Sequence, residues 1–412
     1  MDRCNIFSLS ALTALGFVFG LPAKADLISD WNTKAEVIQI EKQLASQTSA
    51  RALSILHVAM FEAVSAIDRR YGAYKLSMAP EPNASKEAAA ASAAHAVLSA
   101  IYPDQQQKLD AALAESLAKI NEGDSKAKGI DLGKRAAAGI IALRANDGTA
   151  VAETYRPFTN AGVYVPTTIP VFSTWGASTP WVMTTGSQFR PEPPPALNST
   201  TWANDVNEVR QLGGRNSSIR TAEQTNIGRF WFFTGPQTWN PILRQVAAAK
   251  DLNLLDSARL FALVNMAGND AYVAVMDAKY AFNLWRPITA IRNADLSKNK
   301  ATPSEASWLA LGETPLHPEY PCAHCIASTA AGTVIKNVVG NDVAEITLTS
   351  PTAPGVTRKW TRIQDYIDEV SMARIYAGFH YRFSTKVGED MGRKIAELTL
   401  ATQLLRTAEA RR

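Results

Sequence analysis

Strand patterns are scarce in this chain, and so are cysteine, histidine and net charge. Its 412 residues hold three cysteines, five histidines and a formal net charge of +4. A charge that small, with no concentrated basic stripe, excludes a dedicated nucleic-acid binder. Beyond residue 25 no long uninterrupted apolar run occurs, which excludes a stable membrane anchor in the processed chain. No internal repeat with a clear period is found, and VAEITLTS (343–350) is the one candidate strand. What remains is a mainly α fold. The composition, 46% hydrophobic and 19% charged, is that of a chain that folds around a real core.

The first 25 residues read as a targeting segment. MDRCNIFSLSALTALGFVFGLPAKAD has a short polar start with Arg3, an apolar run from Ile6 to Leu21, and the small-x-small pattern Ala23-Lys24-Ala25. Cleavage is expected after Ala25. Cys4 lacks the setting of a lipoprotein cysteine and leaves with the peptide. The mature protein, residues 26–412, is then a single helical domain, periplasmic or secreted. Its two cysteines, Cys322 and Cys325, meet an oxidising compartment.

From residue 30 to about 148 the pattern is helical. Residues 50–72 carry Leu53, His57, Met60, Phe61 and Val64 on one mostly apolar stripe. Residues 86–102 are alanine-rich, and 104–120 and 125–147 continue the pattern. Residues 155–199 differ: Pro157, Pro166, Pro170, Pro180 and Pro191 recur, and Pro193-Pro194-Pro195 closes the stretch. Proline fixes φ and removes donors, so this is a long loop. Its Trp175, Trp181 and Phe189 point to an ordered layer packed over helices rather than a free linker. Helices are expected again near 202, over 221–233 with a capping box at Thr221 and Gln224, over 251–287 as one or two helices, and over 326–340, 362–378 and 386–405.

Three segments carry candidate chemistry. In KYAFNLWRP, Lys279 and Arg286 stand seven residues apart, almost two helical turns, so a helix continuing to Pro287 puts both cations on one face. In HPEYPCAHCIAS, Pro321 precedes a helical run whose first turn holds Cys322, Ala323 and His324. Free N–H groups at such a start bind anions, and His324 beside them suits acid–base work. In ARIYAGFHYRFS, Arg374 and His380 are six apart, on different faces of a continuous helix. Gly378 between them can end the helix and turn His380 back towards Arg374. Ser384 lies four residues beyond His380 and is placed to orient its ring.

Lysine, six residues, Arg-Pro; then Pro-x-x-His; then Arg, five residues, His: this set resembles the vanadium-dependent haloperoxidase and type 2 phosphatidic acid phosphatase superfamily. It spans residues 279–380, about a quarter of the chain. The resemblance implies a large helical bundle with an oxyanion pocket. It implies Lys279, Arg286 and Arg374 on the equatorial oxygens of vanadate or phosphate, with the Ala323 N–H and Cys322 as further donors. It implies His324 as the acid–base group and His380 as the ligand of vanadium, or the nucleophile of a phosphatase. Two departures stand out. Pro-Ser-Gly-His appears as Pro321-Cys322-Ala323-His324, and the frequent aspartate four residues after the second histidine is Ser384.

The implied activity is halide oxidation by hydrogen peroxide with vanadate as cofactor. The alternatives are an acid phosphatase acting on phosphate esters through a phosphohistidine, and a non-catalytic oxyanion-binding protein. Substrates are small molecules, and the oligomeric state stays open. Cys-Ala-His-Cys also has the C-x-x-C form, but a redox dithiol of that kind follows a strand, and this region reads as helical. A structural Cys322–Cys325 disulfide is favoured. It would remove the thiol donor and brace the turn. Zinc would need ligands at spacings that His317 and His324 do not offer. His57 and His95 read as structural, and His317 as a candidate neighbour of the pocket. Asn269 and Asp270 interrupt an apolar face, either capping a break or bonding a pocket arginine. Trp231, Trp239, Trp285 and Phe379 are core residues or pocket walls.

Overall fold

A computed structural model describes residues 26–166 and 168–408. The targeting segment expected over 1–25 lies outside the described residues. The first helices are α1 (Leu27–Glu41), α2 (Ser46–Ser65), α3 (Lys86–Ile101), α4 (Gln106–Ala118) and α5 (Asp124–Arg144). After the loop come α6 (Thr200–Leu212), α7 (Ala222–Phe230), α8 (Pro236–Ala249), α9 (Leu254–Phe282) and α10 (Pro287–Arg292). The chain ends with α11 (Ala323–Val339), strands β1 (Asp342–Thr349) and β2 (Thr357–Arg362), α12 (Ile363–Tyr376) and α13 (Arg382–Thr402). The mainly α class expected from the sequence is the class observed.

Helix α9 is the axis of the molecule. Over 29 residues it spans about 43 Å. It packs against α2 on one side and α11 on the other. A helix covered on both sides must be apolar nearly all round, and 251–287 is apolar in that way. The sequence left one or two helices open there; a single helix runs to Phe282. Asn269 and Asp270 do not break it. Asp270 is fully buried and accepts the backbone N–H groups of Trp181 (2.7 Å), Val182 (2.8 Å) and Met183 (2.9 Å). It therefore bonds the loop, not a pocket arginine.

That clamp explains why 155–199 is ordered without regular structure. Trp175 and Trp181 are buried, and Arg144 lies over the Trp181 ring at 4.4 Å. Further along, Tyr164 N–H donates to the Asn283 carbonyl and Trp285 N–H to the Gly162 carbonyl. The loop thus lies across the end of α9.

Besides the short α10, two elements were not expected from the sequence. Helix α8 contains Pro241, a residue that normally argues against a helix interior. Strand β2 pairs antiparallel with the expected β1. The hairpin is fastened to α12 by Glu369, which accepts from Arg358 and from the indole N–H groups of Trp231 and Trp360. The capping box of α7 forms at Thr221 and Gln224 as read. His57 is buried in α2, and His95 pairs with Asp110 on the surface, so both serve structure. Among the described residues no helix is long and apolar enough to cross a membrane.

Candidate active site

Lys279 sits in the last turn of α9 and is fully buried. Its Nζ donates to the carbonyls of Pro318 (2.9 Å) and Glu319 (2.7 Å). Arg286 does not share its helix, contrary to the reading of the spacing. The helix stops at Phe282, Asn283 takes the left-handed conformation (φ 50°), and Arg286 becomes the residue before α10. Pro287 starts that helix rather than ending the previous one. The two cations still converge, because the chain turns.

Arg286 is 1% exposed and every nitrogen of its guanidinium is engaged. Nε donates to the His317 carbonyl (2.9 Å), Nη1 to the Phe379 carbonyl (3.0 Å), and Nη2 faces His317 Nδ1 (3.0 Å). Nη1 also faces His380 Nε2 at 3.2 Å. His317 therefore joins the cluster.

Arg374 is fully buried and differs in kind. One of its nitrogens donates to the Trp231 carbonyl, while Nε and Nη2 have no partner. Its guanidinium lies 4.9 Å over the Phe379 ring. Burying an unpaired cation is costly unless something supplies the missing charge. His380 reaches the cluster because α12 ends at Tyr376 and Gly378 adopts φ +79°. A side chain at 378 would also strike the Gly213 carbonyl, whose oxygen lies 2.5 Å from the position a Cβ would take. Of the four aromatics weighed, Trp231 and Phe379 touch the site, while Trp239 and Trp285 belong to the core.

At the start of α11, Cys322 is the N-cap and is bonded to Cys325. It has no S–H to donate; its sulfur instead accepts the Cys325 N–H (3.2 Å), and its own N–H goes to the Ser384 carbonyl (3.3 Å). The expectation of Cys322 as a donor to the anion is therefore corrected. The first N–H groups of a helix have no partner within it. Those of Cys325 and Ile326 are taken by Cys322, which leaves Ala323 and His324 at the open end. His324 is partly exposed, and its Nε2 lies 3.4 Å from the Phe232 carbonyl.

The residue that sequence reasoning missed is Glu319. It is fully buried, and its Oε1 lies 2.7 Å from His380 Nδ1 and accepts the Tyr381 N–H at 3.1 Å. Its Oε2 has no hydrogen-bond partner. Ser384, expected to orient His380, stands farther off at 3.5 Å. The sequence shows an acidic residue inside HPEYPCAHC but not its partner, which lies 61 residues away.

Electrostatics follow from three buried cations facing one buried carboxylate. Burial first, then the neighbouring guanidiniums, hold Lys279 and Arg374 well below their ordinary values. Burial brings Arg286 down to about 10. Burial and the same cations keep His317, His324 and His380 neutral. Burial pushes Glu319 up to about 7, against the pull of Lys279 and Arg286. A bound polyanion would reverse the sign of the field and move the histidines back towards protonation. Among the described residues no three His, Cys, Asp or Glu side chains converge as ligands for a metal cation. The site offers donors, which suits an oxyanion.

Residues 259–406 match the family model of the VCPO second helical-bundle domain. The vanadium chloroperoxidase of Curvularia inaequalis is 25% identical in an alignment covering 83% of this chain and 75% of that protein. The crystal structure of a bacterial vanadium-dependent iodoperoxidase superposes with a TM-score of 0.79 at 22% identity, over 93% of this chain and 97% of that one. A holo-type bacterial vanadium-dependent chloroperoxidase gives 0.65 at 15% identity, over 86% and 91%. The chain has the fold of the vanadium-dependent haloperoxidases, and its C-terminal part is similar to the VCPO second helical-bundle domain.

Proposed function

We propose that this protein is a vanadate-dependent haloperoxidase, oxidising a halide with hydrogen peroxide. The observation that carries the reading is Arg374, a fully buried guanidinium with two unpartnered nitrogens beside two further cations and an open helix start. Such a cluster is complete only with an oxyanion. The relatives named above supply the choice of vanadate.

Lys279, Arg286 and Arg374 would hold the oxygens, with the Ala323 N–H as a further donor. The unpartnered Arg374 nitrogens are preformed donors, which stabilise negative charge without reorganising. His380 would be the ligand of vanadium. Arg286 can only donate, so the Nε2 that faces it must accept. The neutral ring therefore carries its proton on Nδ1 and offers a lone pair at Nε2. His324, neutral and partly exposed at the mouth, would take and return protons. Bound vanadate would activate hydrogen peroxide towards halide. Overall, halide, hydrogen peroxide and one proton give hypohalous acid and water, so the residues must deliver a proton each turnover. Phosphate fits the same donors.

We also propose export after removal of residues 1–25, to the periplasm or the medium. The Cys322–Cys325 disulfide supports an oxidising compartment.

The test is bromide oxidation by the purified protein with vanadate and hydrogen peroxide, with His380→Ala as control. Vanadate-dependent turnover that disappears in the variant is expected. Vanadate bound without turnover would sink the reading for bromide and favour phosphate-ester chemistry or simple oxyanion binding.

A further inference from the structure

The ring of His380 has two nitrogens with different duties, and something must decide which carries the proton. Arg286 Nη1 lies 3.2 Å from Nε2 and Glu319 Oε1 lies 2.7 Å from Nδ1. Ser384, the local candidate, lies 3.5 Å from Nδ1. Glu319 comes from the loop before α11, 61 residues away in sequence. Its backbone is fixed twice: its carbonyl accepts from Lys279 Nζ, and its N–H donates to the Leu284 carbonyl. Its carboxylate is fixed by the Tyr381 N–H, from the residue after His380.

We propose that Glu319 is the positioning residue of His380. It fixes the tautomer and the ring plane from a different part of the chain than the aspartate whose place Ser384 occupies. The proposal rests on the oxyanion reading for its purpose, but its geometry stands apart from it. An acceptor at Nδ1 makes Nε2 the lone-pair nitrogen and aims it at the guanidiniums. Such partners of ligating histidines typically change affinity by about 10–100-fold when removed. The location also ties two tasks together. The stretch that carries Glu319 binds the Lys279 ammonium through the Pro318 and Glu319 carbonyls, so one loop sets both the cation and the imidazole.

The experiment is nitrogen NMR on histidine-labelled full-length protein without added anion, with the His380 signals identified by their loss in His380→Gln. The expected result is a protonated Nδ1 and an unprotonated Nε2. Glu319→Leu should mix the tautomers or reverse them. Ser384→Asp in that background should restore the original signals, which a merely structural role of Glu319 would not permit. Orthovanadate titration should show affinity falling at least about 10-fold in Glu319→Leu and recovering in part in the double variant. Glu319→Gln keeps volume and an acceptor oxygen; it should keep the Nδ1–H signal and lose less affinity. The proposal is overturned if the unmodified protein carries the proton on Nε2, or if Glu319→Leu and Glu319→Gln both leave the His380 signals unchanged. If the unmodified protein binds no vanadate, the functional reading falls, and the tautomer still decides the positioning role.

Discussion

Among α1, α2, α8 and α9 the chain buries a polar cluster; between α9, α11 and α12 it buries another. The first balances its charge internally, although His57 Nδ1 finds no partner. Asn32 donates to Asn240 (2.7 Å) and faces His57 Nε2 (2.8 Å), while its carbonyl accepts from Arg244 (2.5 Å). Arg244 also pairs with Glu36 at 2.6 Å, one cation to one carboxylate. The second sets Lys279, Arg286 and Arg374 against Glu319 alone and leaves two Arg374 nitrogens unpartnered. Both clusters are largely buried and both contain a neutral histidine. The difference lies in whether charge is balanced inside the protein. A balanced cluster holds helices together, and an unbalanced one needs a ligand.

The comparison breaks first at Arg374. Arg374→Met should weaken vanadate or phosphate binding by about 2–5 kcal/mol in calorimetric titration. The ligand-free variant should unfold no earlier than the unmodified protein, because a lone buried cation has been removed. Early unfolding would mean that Arg374 is internally balanced after all. The opposite holds in the first cluster. Glu36→Leu takes away the carboxylate partner of Arg244 and should cost about 1–3 kcal/mol in denaturant unfolding, with anion binding unchanged.

A smaller effect concerns acid. Burial, then Arg244, lowers His57 from 6.5 to about 3, so below pH 6.5 the unfolded chain binds a proton that the folded chain refuses. Stability must then fall as the pH is lowered from 6.5 towards 3, by up to about 1.4 kcal/mol per pH unit. His57→Gln should flatten that slope, as followed by thermal melts from pH 6.5 to 3.5. Smallest is the disulfide. Replacing Cys322 and Cys325 together by alanine should change vanadate affinity less than about 3-fold, because neither sulfur donates to the pocket. A larger loss would return Cys322 to the site.

How legible all this was depended on distance along the chain. The turn at Gly378 could be read because its cause is local: one residue with positive φ joins Arg374 to His380. The loop over 155–199 could be read from its prolines, but not the Asp270 clamp that orders it, which acts across 87–89 residues. Lys279 and Arg286 were correctly paired for a wrong reason, since a left-handed Asn283 replaced the assumed helix. Glu319 was out of reach because its partner is chosen by the fold. Helix α8 was hidden by Pro241, whose cost is met by the packing of Trp239, Ile242 and Leu243 in the core.

The shared helix α9 has a consequence for modularity. The family match begins at residue 259, inside α9, as though the chain could be divided there. Division is not neutral. A fragment holding residues 259–406 would carry the anion cluster whole, yet it would strip α2 from the flank of the helix that ends in Lys279. The N-terminal half has no such cluster among its described residues, but it walls the helix on which the cluster is mounted. Grafting the site elsewhere, or trimming the protein down to it, would have to replace that wall.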